Sequence, residues 1–288
     1  MLARARAPGT CGELVQGSIA GVDFLVTCPV DLWSSVEVFL SAASAGESTW
    51  NDGYHRKTAL AVRQTLGYLG YTGPLPRLRV SSSIPRGKGM ASSTADIAAA
   101  CVATARALKQ EIGPAEVASI ALAIEPSDGL MYPGIALFDH RRGRLCRVLG
   151  NPPPMDVIIV DPGGTVDTIA FNHCPELAEL NRRKEPEVRE ALRLVEEGLA
   201  RGDPEAIGAG ATLSARANQN ILEKPMLEKV IRLGQELRAV GVAVAHSGTV
   251  LGILFDQRRR PDEDAARYIG AKLGFPTLYT TIIGGGVR

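Results

Sequence analysis

Pro85-Arg86-Gly87-Lys88-Gly89-Met90-Ala91-Ser92-Ser93-Thr94-Ala95 is the stretch on which the reading of this chain turns. Gly87 and Gly89 allow a tight backbone turn, and the three hydroxyl residues after them open an alanine-rich run, residues 93–108, of high helix propensity. A glycine-rich turn entering a helix aims several N–H groups and the positive end of the helix dipole at one point, which is what a polyphosphate needs. Lys88 and Arg86 add positive charge, and Ser92, Ser93 and Thr94 offer hydroxyls to a phosphate oxygen or a hard metal ion. The order of residues is not the Walker Gly-x-x-x-x-Gly-Lys-[Ser/Thr], and Ser92 stands where a Rossmann turn has its third glycine. A plain glycine turn with serine as the N-cap of an ordinary helix accounts for Gly-x-Gly, but leaves the preceding proline and the run of hydroxyls without a purpose.

Working outward, a turn at residues 73–76 leads into a short strand at 78–80 that feeds the loop, and Leu60, Ala61, Leu66 and Leu69 trace one face of an earlier helix. Alternation predicts strands at residues 24–30 and 35–40, with Pro8-Gly9-Thr10-Cys11-Gly12-Glu13 before them read as a loop. A helix over 115–124 ends at Glu125-Pro126, and the apolar stretch 135–138 turns at 139–143 as a hairpin would. Asn151-Pro152-Pro153-Pro154 favours an extended connector, and the domain boundary is placed there, giving residues 1–150 and 151–288. Beyond it the pattern predicts a strand at 156–161, helices at 187–200, 204–217 and 226–240 with Gly241 as terminator, strands at 242–244 and 250–255, a helix at 262–273 and a strand at 277–283. That order suggests a split β-α-β sandwich and an α+β fold.

Composition narrows the function. At 288 residues, 45% hydrophobic, 22% charged and a formal net charge of +1, the chain makes no electrostatic case for nucleic acid or a membrane surface, so its partners are expected to be small molecules. Pro8, Gly9 and Glu13 interrupt the sequence after the basic start before any signal-peptide core, and no run is long enough to span a bilayer; a cytoplasmic protein is expected. The five cysteines and four histidines show no metal-ligand spacing, so a bound metal is expected to be a hard ion held by carboxylates and hydroxyls.

The stretch at residues 85–95 resembles the Pro-x-x-x-Gly-Leu-Gly-Ser-Ser-Ala signature of the GHMP kinases, with Met90 in place of leucine and Ala91 in place of glycine. Three further segments are similar to the branch of that family that phosphorylates L-threonine for cobalamin assembly: Ala7-Pro8-Gly9-Thr10-Cys11-Gly12-Glu13-Leu14-Val15-Gln16-Gly17, Ile124-Glu125-Pro126-Ser127-Asp128, and Val244-Ala245-His246-Ser247-Gly248-Thr249-Val250-Leu251-Gly252. The resemblance runs from Pro8 to Val287. It implies the two-domain GHMP fold, a ribosomal protein S5 domain 2-like N-terminal domain followed by a ferredoxin-like C-terminal domain. It also implies ATP and Mg²⁺, and transfer of the γ-phosphoryl group to the hydroxyl of L-threonine.

Residue by residue, the resemblance implies that residues 85–95 bind ATP, that Ser93 and Glu125 hold Mg²⁺, and that Asp128 and Lys88 serve catalysis. Glu13, Asp31, Ser247 and Gly248 are the candidate acceptor contacts. Each has a plainer alternative: Glu125 and Asp128 as solvated turn charges, Glu13 in a structural ion pair, Asp31 capping local backbone donors, Arg86 simply exposed. His246 is read as a positioning or packing residue, since nothing near it in sequence would set its tautomer. Homoserine is the nearest alternative acceptor, and a nucleotide-binding sensor without turnover is the alternative of another class. The oligomeric state stays open, a homodimer included.

Overall fold

The computed structural model describes residues 1–40, 55–164, 176–259, 261 and 264–288. Cys174 and His173 lie outside them. The chain opens with two antiparallel 18-residue strands, β1 (Leu2–Ile19) and β2 (Val22–Phe39). Ala20 and Gly21, both at positive φ, make the two-residue turn between them, as the right-handed twist of a hairpin requires. Two expectations change here. The segments at 24–30 and 35–40 are one strand, and Pro8 to Glu13 is strand and not loop. Proline and glycine punctuate β1 as bulges, with register shifts between Pro8 and Gly9, Thr10 and Glu13, and Glu13 and Val15. At Gly12, φ is +61°, and a Cβ there would lie 2.6 Å from the Ala245 nitrogen. This bulge turns Glu13 inward, where 3% of it is exposed.

The N-terminal half continues with α1 (Arg56–Tyr68), β3 (Arg77–Ser82), α2 (Ser92–Ala107), α3 (Pro114–Ile124), β4 (Ile135–Phe138) and β5 (Cys146–Gly150). Helix α2 is buried through Ala95, Ala98, Ala99 and Ala103, and these small side chains bring its axis close to β1, β2 and α1. The three prolines at 152–154 connect β5 to β6 (Met155–Val160) without regular structure. After β6 come α4 (Leu177–Arg183), α5 (Glu185–Arg201), α6 (Pro204–Ala217), α7 (Leu227–Glu236), β7 (Gly241–Val244), β8 (Leu251–Asp256), α8 (Ala265–Leu273) and β9 (Thr277–Ile282). Helix α7 stops four residues short of the expected end. Arg238, at φ +60°, makes the left-handed exit, and Gly241 begins β7, where a Cβ would collide with Gly208 of α6.

The nine strands of the described residues belong to one sheet, in the order β1-β7-β8-β6-β9-β2-β4-β5 with β3 on β2. The additional β1–β2 pairing returns the path on itself, through the single pairs Glu13↔Val244 and Val30↔Ile282. Strands from both sides of the proline connector therefore meet around Glu13. One apolar core reaches across the same line, from Ile97 and Phe138 to Met155 and Val188, and a second surrounds Leu227, Phe255 and Ile269. No helix among the described residues is long and apolar enough to cross a membrane.

Candidate active site

The loop between β3 and α2 carries three left-handed residues, Gly87 at φ +71°, Gly89 at +79° and Ala91 at +56°. The last is the N-cap of α2, so Ser92 and Ser93 are the first two helical residues and not caps. Ala91 supplies no side-chain acceptor, which leaves the first-turn N–H groups of α2 available to an oxyanion. Three neighbours hold the loop. Thr10 N–H donates to the Met90 carbonyl at 3.0 Å, and Thr249 N–H donates to the Lys88 carbonyl at 3.1 Å. Arg86 reaches Asp96 Oδ2 at 3.3 Å, while the Ser34 hydroxyl donates to the other oxygen.

The turn after β7 closes against the same loop. Gly248 is packed on Gly89 so tightly that a Cβ on Gly89 would sit 2.7 Å from Gly248 Cα. Behind it, the buried Lys224 ammonium donates to the Gly248 carbonyl, and burial lowers the Lys224 pKa to about 8. Lys88 points away from the cleft: its ammonium pairs with Asp161 at 3.0 Å and donates to the Gly164 carbonyl at 3.3 Å.

The cleft itself is lined by Gly89 to Thr94, by Glu125 to Asp128, and by Glu13, Leu25, His140, His246 and Ser247. Glu125 is the extended residue that ends α3, and the turn after it is pinned by Ser127, whose N–H donates to the His140 carbonyl at 2.9 Å and whose hydroxyl donates to the Glu125 carbonyl at 3.0 Å. The Ser93 hydroxyl donates to Glu125 Oε1, and the Lys57 ammonium of α1 sits on Oε2. A carboxylate and a hydroxyl in contact at a helix N-terminus suit a hard divalent cation that takes its other ligands from phosphate and water. The ammonium on the second oxygen shows that this carboxylate already attracts positive charge. Among the described residues no group of three or more His, Cys, Asp or Glu could hold a metal ion by itself.

Asp128 lies deeper, within hydrogen-bonding reach of the Thr94 hydroxyl and the Glu13 carboxyl. Burial, and next the charge of Glu125, raise the Asp128 pKa to about 6. Glu13 is raised well above the carboxylate range by burial, then by the charge of Asp128. Two carboxyls this close favour one shared proton, with Glu13 as the protonated partner. Thr27, opposite Glu13 across the β1–β2 pair, and Thr10 bury hydroxyls that find no protein partner, as does Glu13 Oε2.

His246 gains the partner that its neighbours in sequence do not supply. Its Nδ1 lies 2.9 Å from Gln16 Oε1, and because Gln16 Nε2 donates to the Val244 carbonyl, the amide oxygen is the acceptor and Nδ1 carries the proton. The His140 ring meets it edge-on, with centroids 5.0 Å apart. Burial, followed by the charges of His140, Lys184, Lys224 and Arg141, holds His246 well below the usual histidine range, so the ring is neutral near pH 7. Asp31 lies outside the cleft, exposed, accepting from the Trp33 indole N–H at 2.5 Å. The structure thus gathers Glu13, residues 89–94, Glu125, Asp128 and Ser247, and adds Lys57, Gln16, Ser127 and His140. Of these only Gln16 and Ser127 fall within segments whose wording was distinctive; Lys57 and His140 carried no signal.

Residues 53–136 match the family described as GHMP kinases N terminal domain, and residues 195–273 match GHMP kinases C terminal. The chain is 36% identical over 269 residues to the L-threonine kinase of Salmonella typhimurium, covering 93% of this chain and 87% of that protein. It is 34% identical over 268 residues to the L-threonine kinase of Citrobacter freundii, covering 93% and 91%. Among solved structures, homoserine kinase from Cytophaga hutchinsonii superposes with a TM-score of 0.72 at 15% identity, over 100% of this chain and 96% of that one. Both halves of the sequence, the fold around the loop at residues 85–95 and two relatives similar along nearly their whole length agree: the chain belongs to the GHMP kinase family.

Proposed function

We propose that this chain transfers the γ-phosphoryl group of ATP to the side-chain hydroxyl of L-threonine, giving O-phospho-L-threonine, with Mg²⁺ as the metal. The observation that carries the chemistry is the contact of Ser93 with Glu125 at the head of α2, next to Thr94, whose hydroxyl lies within reach of a half-buried Asp128 of raised pKa. The acceptor is assigned from the two L-threonine kinases to which the chain is similar. Mg²⁺, when bound, neutralises the terminal phosphates and draws charge toward the leaving oxygen.

The residues divide the remaining work. The first-turn N–H groups of α2 and the turn at Gly87 to Ala91 cradle the phosphates, and Arg86 holds that turn to α2 through Asp96. Asp128 accepts the proton of the attacking hydroxyl. Glu13, protonated, donates to Asp128 and keeps one of its oxygens aimed at the acceptor, while Ser247 and the neutral His246 line the acceptor side of the cleft. The product would feed the aminopropanol linker of cobalamin after decarboxylation.

The pH dependence follows from the sign of the Asp128 shift. The reactive form is the carboxylate, so kcat/KM should climb as pH rises through about 6 and level off above it. Asp128→Asn should lower kcat about 10²-fold and flatten that limb. Turnover equal to wild type would remove Asp128 as the base. ATP binding with no turnover on any hydroxylated amino acid would identify a nucleotide sensor instead.

A further inference from the structure

Lys57 takes no part in the proposed phosphoryl transfer, yet it makes the second contact to Glu125, the proposed metal ligand. It is the second residue of α1, as Ser93 is the second residue of α2, and the two side chains take the two oxygens of one carboxylate. The Lys57 side chain is 54% exposed and that of Glu125 20%. An ion pair that open contributes little to stability, so the fold gains almost nothing by placing a lysine there. The position has another consequence: an ammonium on Glu125 Oε2 occupies the electrostatic place of a cation beside the first turn of α2, where the triphosphate is expected.

We propose that Lys57 is a nucleotide-site residue that exchanges anions: it neutralises Glu125 in the free enzyme and turns to an oxygen of the triphosphate when Glu125 takes the metal. The inference rests on Glu125 being a metal ligand. Like charges disfavour an ammonium and a divalent ion on the same carboxylate edge, so Lys57 must give up Oε2 as the metal arrives. Its long flexible stem and largely exposed head permit that swing, and its three donors suit a phosphate oxygen reached from many directions. Lys88, the lysine of the loop itself, is engaged by Asp161, whereas Lys57 holds its ammonium on Glu125 at the cleft wall.

The exchange makes removal of Lys57 act with opposite signs on two ligands. Binding of Mn²⁺ alone, read by the free-ion EPR signal, should tighten about two- to fivefold in Lys57→Met, because the competing ammonium is gone. Binding of a non-hydrolysable ATP analogue with Mn²⁺ present should weaken about tenfold in the same variant, and Lys57→Arg should keep that affinity within about threefold of wild type. Glu125→Gln, measured in parallel, should lose the Mn²⁺ affinity. If Lys57→Met changes neither affinity while Glu125→Gln loses Mn²⁺, the exchange is wrong and the metal site stands. If Glu125→Gln binds Mn²⁺ as wild type does, the metal reading fails, and the exchange with it. A Lys57→Met chain that melts early is replaced in the comparison by Lys57→Gln, held to the same two signs.

Discussion

Glu125→Gln is expected to lower kcat about 10³-fold and to raise the Mg²⁺ concentration needed for half-maximal rate at least about tenfold, with little change in thermal stability. Glutamine keeps the size of the side chain and an oxygen for the Ser93 hydroxyl, so the turn between α3 and Ser127 stays built. What it removes is charge. Phosphoryl transfer relies on positioning and neutralisation, with little covalent work for the protein, so an ionic ligand lost from the metal acts on the transition state directly. Its partner Lys57 is then left without a counter-ion and competes less for the site, which cannot restore the missing ligand. Initial rates across a Mg²⁺ titration check this; kcat and metal dependence equal to wild type would take Glu125 out of the metal site.

Gly248→Ala is expected to be nearly as damaging, although Gly248 touches no proposed reacting atom. A Cβ at this position would overlap the Lys88 carbonyl oxygen and Gly89 Cα, both backbone, so neither can rotate out of the way. The turn after β7 would have to withdraw from the phosphate loop and give up the Thr249 to Lys88 hydrogen bond. Overpacking of this kind costs about 1–3 kcal/mol of stability, and a displacement of about 1 Å in a phosphate cradle costs about 10²-fold in kcat/KM. Gly67 is the matched control. It lies in α1 with nothing within 4 Å of the place a methyl group would take, and Gly67→Ala should leave activity unchanged and add about 0.5–1 kcal/mol of stability. Equal behaviour of the two variants, in melting temperature and in kcat/KM, would show that the packing of Gly248 on Gly89 holds nothing in place.

The loop at residues 85–95 was legible because its chemistry is local. Glycines, hydroxyls and the alanine run sit in sequence order, and even the departure at Ala91 has a local physical reading, since the residue adopts the left-handed φ that a glycine would take there without strain. The helices and most strands after Pro154 follow their periodicity for the same reason. What stayed hidden depends on partners far along the chain. Pro8, Gly9 and Gly12 look like a loop until β2 and β7 supply the pairing that makes them bulges of one strand. Gln16 and His246 are 230 positions apart, so the tautomer of the histidine could not be assigned from its neighbours. Lys57 is one lysine on an amphipathic helix, and only the meeting of α1, α2 and the end of α3 gives it a carboxylate. Gly241 reads in sequence as the helix-ending turn that Arg238 makes in the structure, because a glycine needed for contact with α6 looks the same in sequence as one needed for positive φ.

The chemistry proposed for Ser93, Glu125 and Asp128 is that of a kinase acting on a small hydroxylated amino acid. The direct measurement is kcat/KM for L-threonine, L-serine and L-homoserine, each offered alone with ATP and Mg²⁺, with ADP and the phosphorylated amino acid quantified together. Equal amounts of ADP and O-phospho-L-threonine and the highest kcat/KM for L-threonine are expected; a higher value for L-homoserine, or ADP formed without a phosphorylated amino acid, would contradict the assignment of L-threonine as acceptor.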